Sequence, residues 1–166
     1  MPGTNQIAPG RYRQDPGRTY EDFEVGHLYE HRPGRTITDA DNVWFTLLTM
    51  NQHPLHFDAA YAAGTEFKRP LVNSCLTLAI VTGMSVADVS AKAIANLGWD
   101  KVELTAPVFV GDTIYADSEV LSKRPSRSRT GQGLVTVRTR GLKADGTVFL
   151  TFERTVLVPM RGEPRQ

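Results

Sequence analysis

The sequence predicts an α+β fold in which a curved antiparallel sheet wraps one long apolar helix. Two observations predict it. Apolar residues recur at helical spacing in the first half of the chain, and from Trp99 onward the period changes to two. The stretch "LVNSCLTLAIVTGMSVADV" (71–89) is apolar on nearly every face, the pattern of a helix surrounded by protein. A sheet that curls around such a helix is one way to bury it.

The elements follow in order. Residues 1–19, "MPGTNQIAPGRYRQDPGRT", are rich in Pro, Gly and polar side chains without an apolar period, which reads as a flexible arm. The folded unit is expected over 20–160 as a single domain, with 161–166 as a short tail. A weak strand over 28–37 is interrupted at Pro33-Gly34. Thr38 and Asp41 form a capping-box pattern, and Val43, Trp44, Leu47, Leu48 and Met50 recur at helical spacing, which predicts a helix over 39–50 with Trp44 in the core. Pro54 disfavours helical geometry at His53, and Asp58 can cap the short helix "AAYAA", closed by Gly64. The stretch "TMNQHPLHFD" (49–58) therefore reads as a tight connection between two helices.

After the apolar helix, four strands are expected from the alternation at Val102 and Leu104, Ile114 to Val120, Val135 to Thr139, and Val148 to Val158. Pro107, Gly111-Asp112, 125–133 and Asp145-Gly146 supply the turns. One strand, then helices, then an antiparallel run is the hotdog architecture, whose outer face or edge strand commonly pairs with a second copy. A homodimer or higher homo-oligomer is expected by that analogy.

With 19 basic and 18 acidic side chains, the formal charge of +1 gives no broad electrostatic footprint for nucleic acid. No apolar run reaches the roughly 20 residues that span a bilayer, and no leader pattern opens the chain, so no membrane role and a cytoplasmic location are expected. Cys75 is the single cysteine, which excludes an intrachain disulfide, and its apolar flanks read as a small buried hydrophobe. Within the histidine stretch, His53 and His56 flank Pro54, but an irregular loop with no cysteine nearby is a poor metal site, and none is expected.

The segments "YEDFEVG" (20–26), "RTITDADNVWFTLLTMNQHPLHFD" (35–58), "FKRPLVNSCLTLAIVTG" (67–83) and "APVFVGDTIYADSEV" (106–120) resemble the MaoC-like family, which contains the R-specific enoyl-CoA hydratases. "NxxPLHFD" with "PLVNS" is similar, more narrowly, to mesaconyl-CoA hydratase-like members. The resemblance implies a hydratase or dehydratase that adds water to the double bond of a short, possibly branched, enoyl-CoA, with the coenzyme A thioester as substrate and no cofactor. His56 falls on the family's catalytic histidine. Asn51 falls where the family has an aspartate, and an amide cannot take a proton at neutral pH, so Asn51 is left to orient water or the imidazole. Asn73 and Ser74 fall on the family's His-Gly pair at the start of the apolar helix, where backbone amides can bind the thioester oxygen. Arg127 and Arg129 are candidates for the coenzyme phosphates, and Lys68 and Arg69 for the coenzyme or for a substrate carboxylate. Asp41 and Asp58 read as helix-start residues rather than catalysts.

Two other functions share this architecture. A hotdog thioesterase commonly needs an acidic residue on the long helix, and "LVNSCLTLAIVTG" has none. An acyl-CoA-binding protein that has lost the catalytic aspartate is the other.

Overall fold

The computed structural model describes residues 4–162. In chain order the elements are β1 (Thr4–Ala8), β2 (Arg11–Gln14), β3 (Leu28–Thr36), α1 (Asp39–Leu48), α2 (Ala59–Ala63), α3 (Ser74–Met84), β4 (Ala95–Leu104), β5 (Thr113–Pro125), β6 (Gln132–Lys143) and β7 (Val148–Pro159). The last four strands and β3 form one antiparallel sheet in the order β3-β5-β6-β7-β4. With α3 packed on its inner face, this is the expected α+β hotdog.

The arm expected to be flexible carries a hairpin, β1 against β2. Its sequence gave no apolar period because all nine of its strand residues are exposed. Ion pairs beyond it join the arm to the domain: Asp15 with Lys92 at 3.0 Å, and Arg18 with Asp88 at 3.0 Å. The Arg18 guanidinium also lies 3.9 Å from the Tyr29 ring centre. Of the tail, Arg161 pairs with Asp22, and 163–166 fall outside the described residues, as do 1–3.

Two apolar clusters pack on the inner face of the sheet, the first beneath α3 and the second beneath Phe23 and the turn that follows α3. One gathers Ile37, Leu76, Val81, Ile114, Phe149 and Phe152; the other gathers Phe23, Val89, Val120, Val135, Val137 and Val156. Gly141 makes room in the first, because a Cβ there would lie 2.5 Å from the Phe149 ring. Between the clusters runs a buried polar seam of His31, Ser118, Thr139 and Arg154 on four neighbouring strands. Burial holds the His31 imidazole below its ordinary pKa, against the upward pull of Asp88. A neutral ring then donates from Nδ1 to Asp88 at 2.8 Å and accepts at Nε2 from the Ser118 hydroxyl at 2.8 Å. Ser118 and Thr139 share a further hydroxyl bond of 2.8 Å. Burial also pushes the Asp88 carboxyl up, but His31 and Arg18 hold it below the usual range. Arg154 donates to the Ser85 hydroxyl at 2.8 Å, just past the end of α3, and has no carboxylate partner among the described residues.

Two burial expectations are corrected. Trp44 is 68% exposed because the inward face of α1 is polar, built on Asn42 and Thr46, which turns the apolar stripe of Trp44, Leu47 and Leu48 outward. The long apolar helix is shorter than expected, ending at Met84 before a π-turn over Val86–Ser90, and it is open along one side. Cys75, Ala79 and Gly83 lie on that side, so Cys75 is exposed rather than buried.

Candidate active site

The histidine loop is built by local capping. Met50 takes φ of 60°, which reverses the chain after α1. The Asn51 side-chain oxygen accepts from the His53 amide at 3.0 Å, and His53 Nδ1 accepts from the Leu55 amide at 3.1 Å, which starts the 3₁₀ turn Pro54–His56. His53 is thus the cap of the turn that carries His56. Asp58 then caps α2 through the Tyr61 amide at 3.0 Å. At the other end of α1, Asp41 completes the capping box with Thr38 and pairs with Arg35. Burial raises the Asp41 carboxyl, yet the Thr38 bonds and Arg35 hold it below the usual range.

His56 is half-buried, and its Nδ1 lies 2.8 Å from the Leu71 carbonyl. A carbonyl can only accept, so Nδ1 carries the proton and Nε2 of the neutral ring presents a lone pair. Leu71 connects this loop to the start of α3, where Asn73 is the N-cap and accepts from the Cys75 amide at 3.0 Å. The Asn73 amide is already engaged, donating to the Asn42 side chain at 2.8 Å. Of the expected oxyanion pair, only the Ser74 amide is without a partner among the described residues. The Asn73 side chain also donates to Thr46 at 3.2 Å, so both Asn73 donors turn inward.

Ser74 and Leu71 border a cavity of about 300 Å³ with an apolar lining that includes Phe67, Pro107, Val108 and Phe149. His56 and Asn51 do not line it; His56 reaches it through Leu71, whose carbonyl its ring bonds.

The sequence model of the family described as Mesaconyl-CoA hydratase matches residues 9–165. The chain belongs to that family. The mesaconyl-CoA hydratase of Cereibacter sphaeroides is 32% identical over 145 residues, which are 87% of this chain and 42% of that protein. The (R)-specific enoyl-CoA hydratase of Aeromonas caviae is 30% identical over 139 residues, 84% of this chain and 98% of that one. A solved MaoC domain protein of Chloroflexus aurantiacus superposes with a TM-score of 0.83 at 33% identity, over 91% of this chain and 43% of the other. The chain therefore spans less than half the length of the curated mesaconyl-CoA hydratases it matches.

In this member of the mesaconyl-CoA hydratase family the candidate cations divide into two groups. Lys68 and Arg69 stand beside the loop, on the segment whose Leu71 amide donates to Leu55 at 3.1 Å. The Arg69 guanidinium lies 3.9 Å from the Phe109 ring centre. Arg127 and Arg129 sit beyond Pro125, where β5 has run away from Ile114 and the site to the opposite end of the sheet. One chain does not bring the two groups together.

Sequence reasoning missed Asn42. It is fully buried, and it bonds the His56 loop, Leu71 and Asn73 at once. The available signal was an amide and a hydroxyl at i and i+4, Asn42 and Thr46, on a helix whose apolar residues lie elsewhere.

Proposed function

We propose that the chain is an acyl-CoA hydratase/dehydratase that reversibly adds water to the double bond of a short enoyl-CoA. The observation that carries this reading is the hydrogen bond from His56 Nδ1 to Leu71, which leaves Nε2 as the proton acceptor, with Ser74, whose amide has no partner among the described residues, three residues beyond Leu71. In hydration, Nε2 takes a proton from water as the water oxygen bonds the β-carbon. The thioester oxygen gains the charge and is met by the Ser74 amide at the positive end of α3. Asn51 can orient the water but cannot hold its proton, so the imidazolium returns the proton to the α-carbon. One residue then serves both steps, and the two new bonds form on the same face of the double bond.

Lys68 and Arg69 are the cations placed to meet the coenzyme phosphates. The cavity against Ser74 has room for a short acyl chain, and no charged side chain among the described residues lines it. A second copy belongs to the proposal as well. The free edge of β4 exposes Leu97, Trp99, Val102 and Leu104, an apolar strand edge that isolated domains avoid. The exposed Cys75 thiol favours a reducing compartment such as the cytoplasm.

The test is a panel of enoyl-CoA and 3-hydroxyacyl-CoA thioesters, followed for double-bond absorbance and for free thiol. Hydration without thiol release is the expected result. Thiol release would assign a thioesterase instead, and binding with neither change would leave an acyl-CoA-binding protein.

A further inference from the structure

Asn42 sits in the interior of α1, where asparagine is a poor helix former, and it is fully buried, where an amide is costly unless its bonds are made. The bonds are made, and all of them go to the site. Nδ2 donates to the His56 carbonyl at 2.8 Å and to the Leu71 carbonyl at 3.1 Å, while Oδ1 accepts from the Asn73 amide at 2.8 Å. Both amide protons are used across two loops separated by 14 and 29 residues from Asn42.

We propose that Asn42 is a positioning residue that fixes the His56 imidazole and the Ser74 amide relative to one another. The role rests on the reading of this site as a hydratase. The Leu71 carbonyl that accepts from His56 Nδ1 is the same one that Asn42 holds, so Asn42 sets the acceptor that selects the tautomer. The second amide proton ties down the backbone carbonyl of His56 itself, which fixes the base from which the ring projects. By engaging the Asn73 amide, Asn42 also makes Ser74 the first unengaged donor at the start of α3. A hydrophobic residue of the same size would fill the space and define none of these.

The test uses the full chain with Asn42→Leu, which removes all three bonds, and Asn42→Asp, which keeps an acceptor for the Asn73 amide and loses both donors. Nitrogen-15 NMR of the histidine rings, assigned by comparison with His56→Gln, reads the His56 tautomer. The expected wild-type spectrum is the Nδ1–H form, with mixed tautomers in both variants. Turnover of the enoyl thioester should fall roughly 10- to 100-fold, with KM within about threefold, as for a displacement on the order of 1 Å. A pure Nδ1–H spectrum in folded Asn42→Leu, or wild-type turnover in it, overturns the proposal. Should neither variant fold, the wild-type spectrum alone decides: an Nε2–H ring refutes the geometry, and an Nδ1–H ring supports it. If wild-type protein hydrates no thioester, the hydratase reading fails, and the tautomer comparison still tests what Asn42 holds.

Discussion

Arg154→Met should stabilise the protein. Arg154 is 3% exposed; among the described residues its side chain bonds only Ser85, at 2.8 Å, and its Nε has no partner. Burial holds this group below the ordinary arginine range, and no carboxylate among the described residues offsets it. A buried ion costs several kcal/mol after relaxation. Against that stand about 1.5–3 kcal/mol for the charged hydrogen bond and up to about 2 kcal/mol from the nearby C-terminal end of α3. Methionine has an unbranched chain that adapts to the vacated space, and Ser85 keeps its bond to the Thr82 carbonyl at 2.7 Å. The net expectation is a gain of about 1–2 kcal/mol, which for a domain of this size raises Tm by roughly 2–8 °C. Urea unfolding followed by circular dichroism, with the slope compared between wild type and variant, measures it. A loss above about 1 kcal/mol would refute the reasoning and point to a counter-charge supplied in solution by a group outside this chain.

Further outcomes follow from the site and the seam. His56→Ala should lower kcat by about 10²- to 10⁴-fold with little change in Tm, and full activity would remove His56 from the chemistry. Asn51→Asp should hold or raise turnover, because a carboxylate can accept the His53 amide as the present oxygen does; a drop beyond tenfold would mean a site rebuilt around the amide. For pH, burial depresses His31 in the fold, so the unfolded ring, titrating near 6.5, takes up its proton first. Stability is therefore full above about pH 7 and falls as the pH drops through the unfolded value toward the folded one. Tm measured at pH 7.5, 6.5 and 5.5 should decline, and His31→Gln should flatten that decline; a flat wild-type profile would mean that the fold does not shift His31, and a Tm that rises on acidification that the fold holds it charged.

The change of period at Trp99 is a local property of side chains, and it made the sheet legible before any contact was known. The histidine loop was legible for the same reason, since Pro54 and the Asp58 cap act within a few residues. Trp44 misled because an apolar stripe is ordinarily the inward one, and here Asn42 and Thr46 reverse α1 to serve Asn73. The loss of the Asn73 amide as a donor depended on a partner 31 residues away, which no local pattern encodes. Arg127 and Arg129 on a hairpin loop and Lys68 and Arg69 beside the start of the apolar helix were both candidates for one coenzyme, and only the length of β5 shows how far apart the two pairs lie.

The polar seam also bears on how the strands find their partners. Alternation rules out a one-residue slip, which would turn Glu119 and Arg138 into the core. A two-residue slip is a harder error to reject, because it keeps every valine of β6 and β7 facing inward. Sliding β5 by two against β6 would set the Ser118 hydroxyl opposite Val137 or Gly141 instead of Thr139, breaking their mutual bond at a cost of about 1–3 kcal/mol for each buried group left unsatisfied. The seam thus acts as a proofreading mark, distinguishing the native alignment from neighbours that the apolar pattern scores as equal.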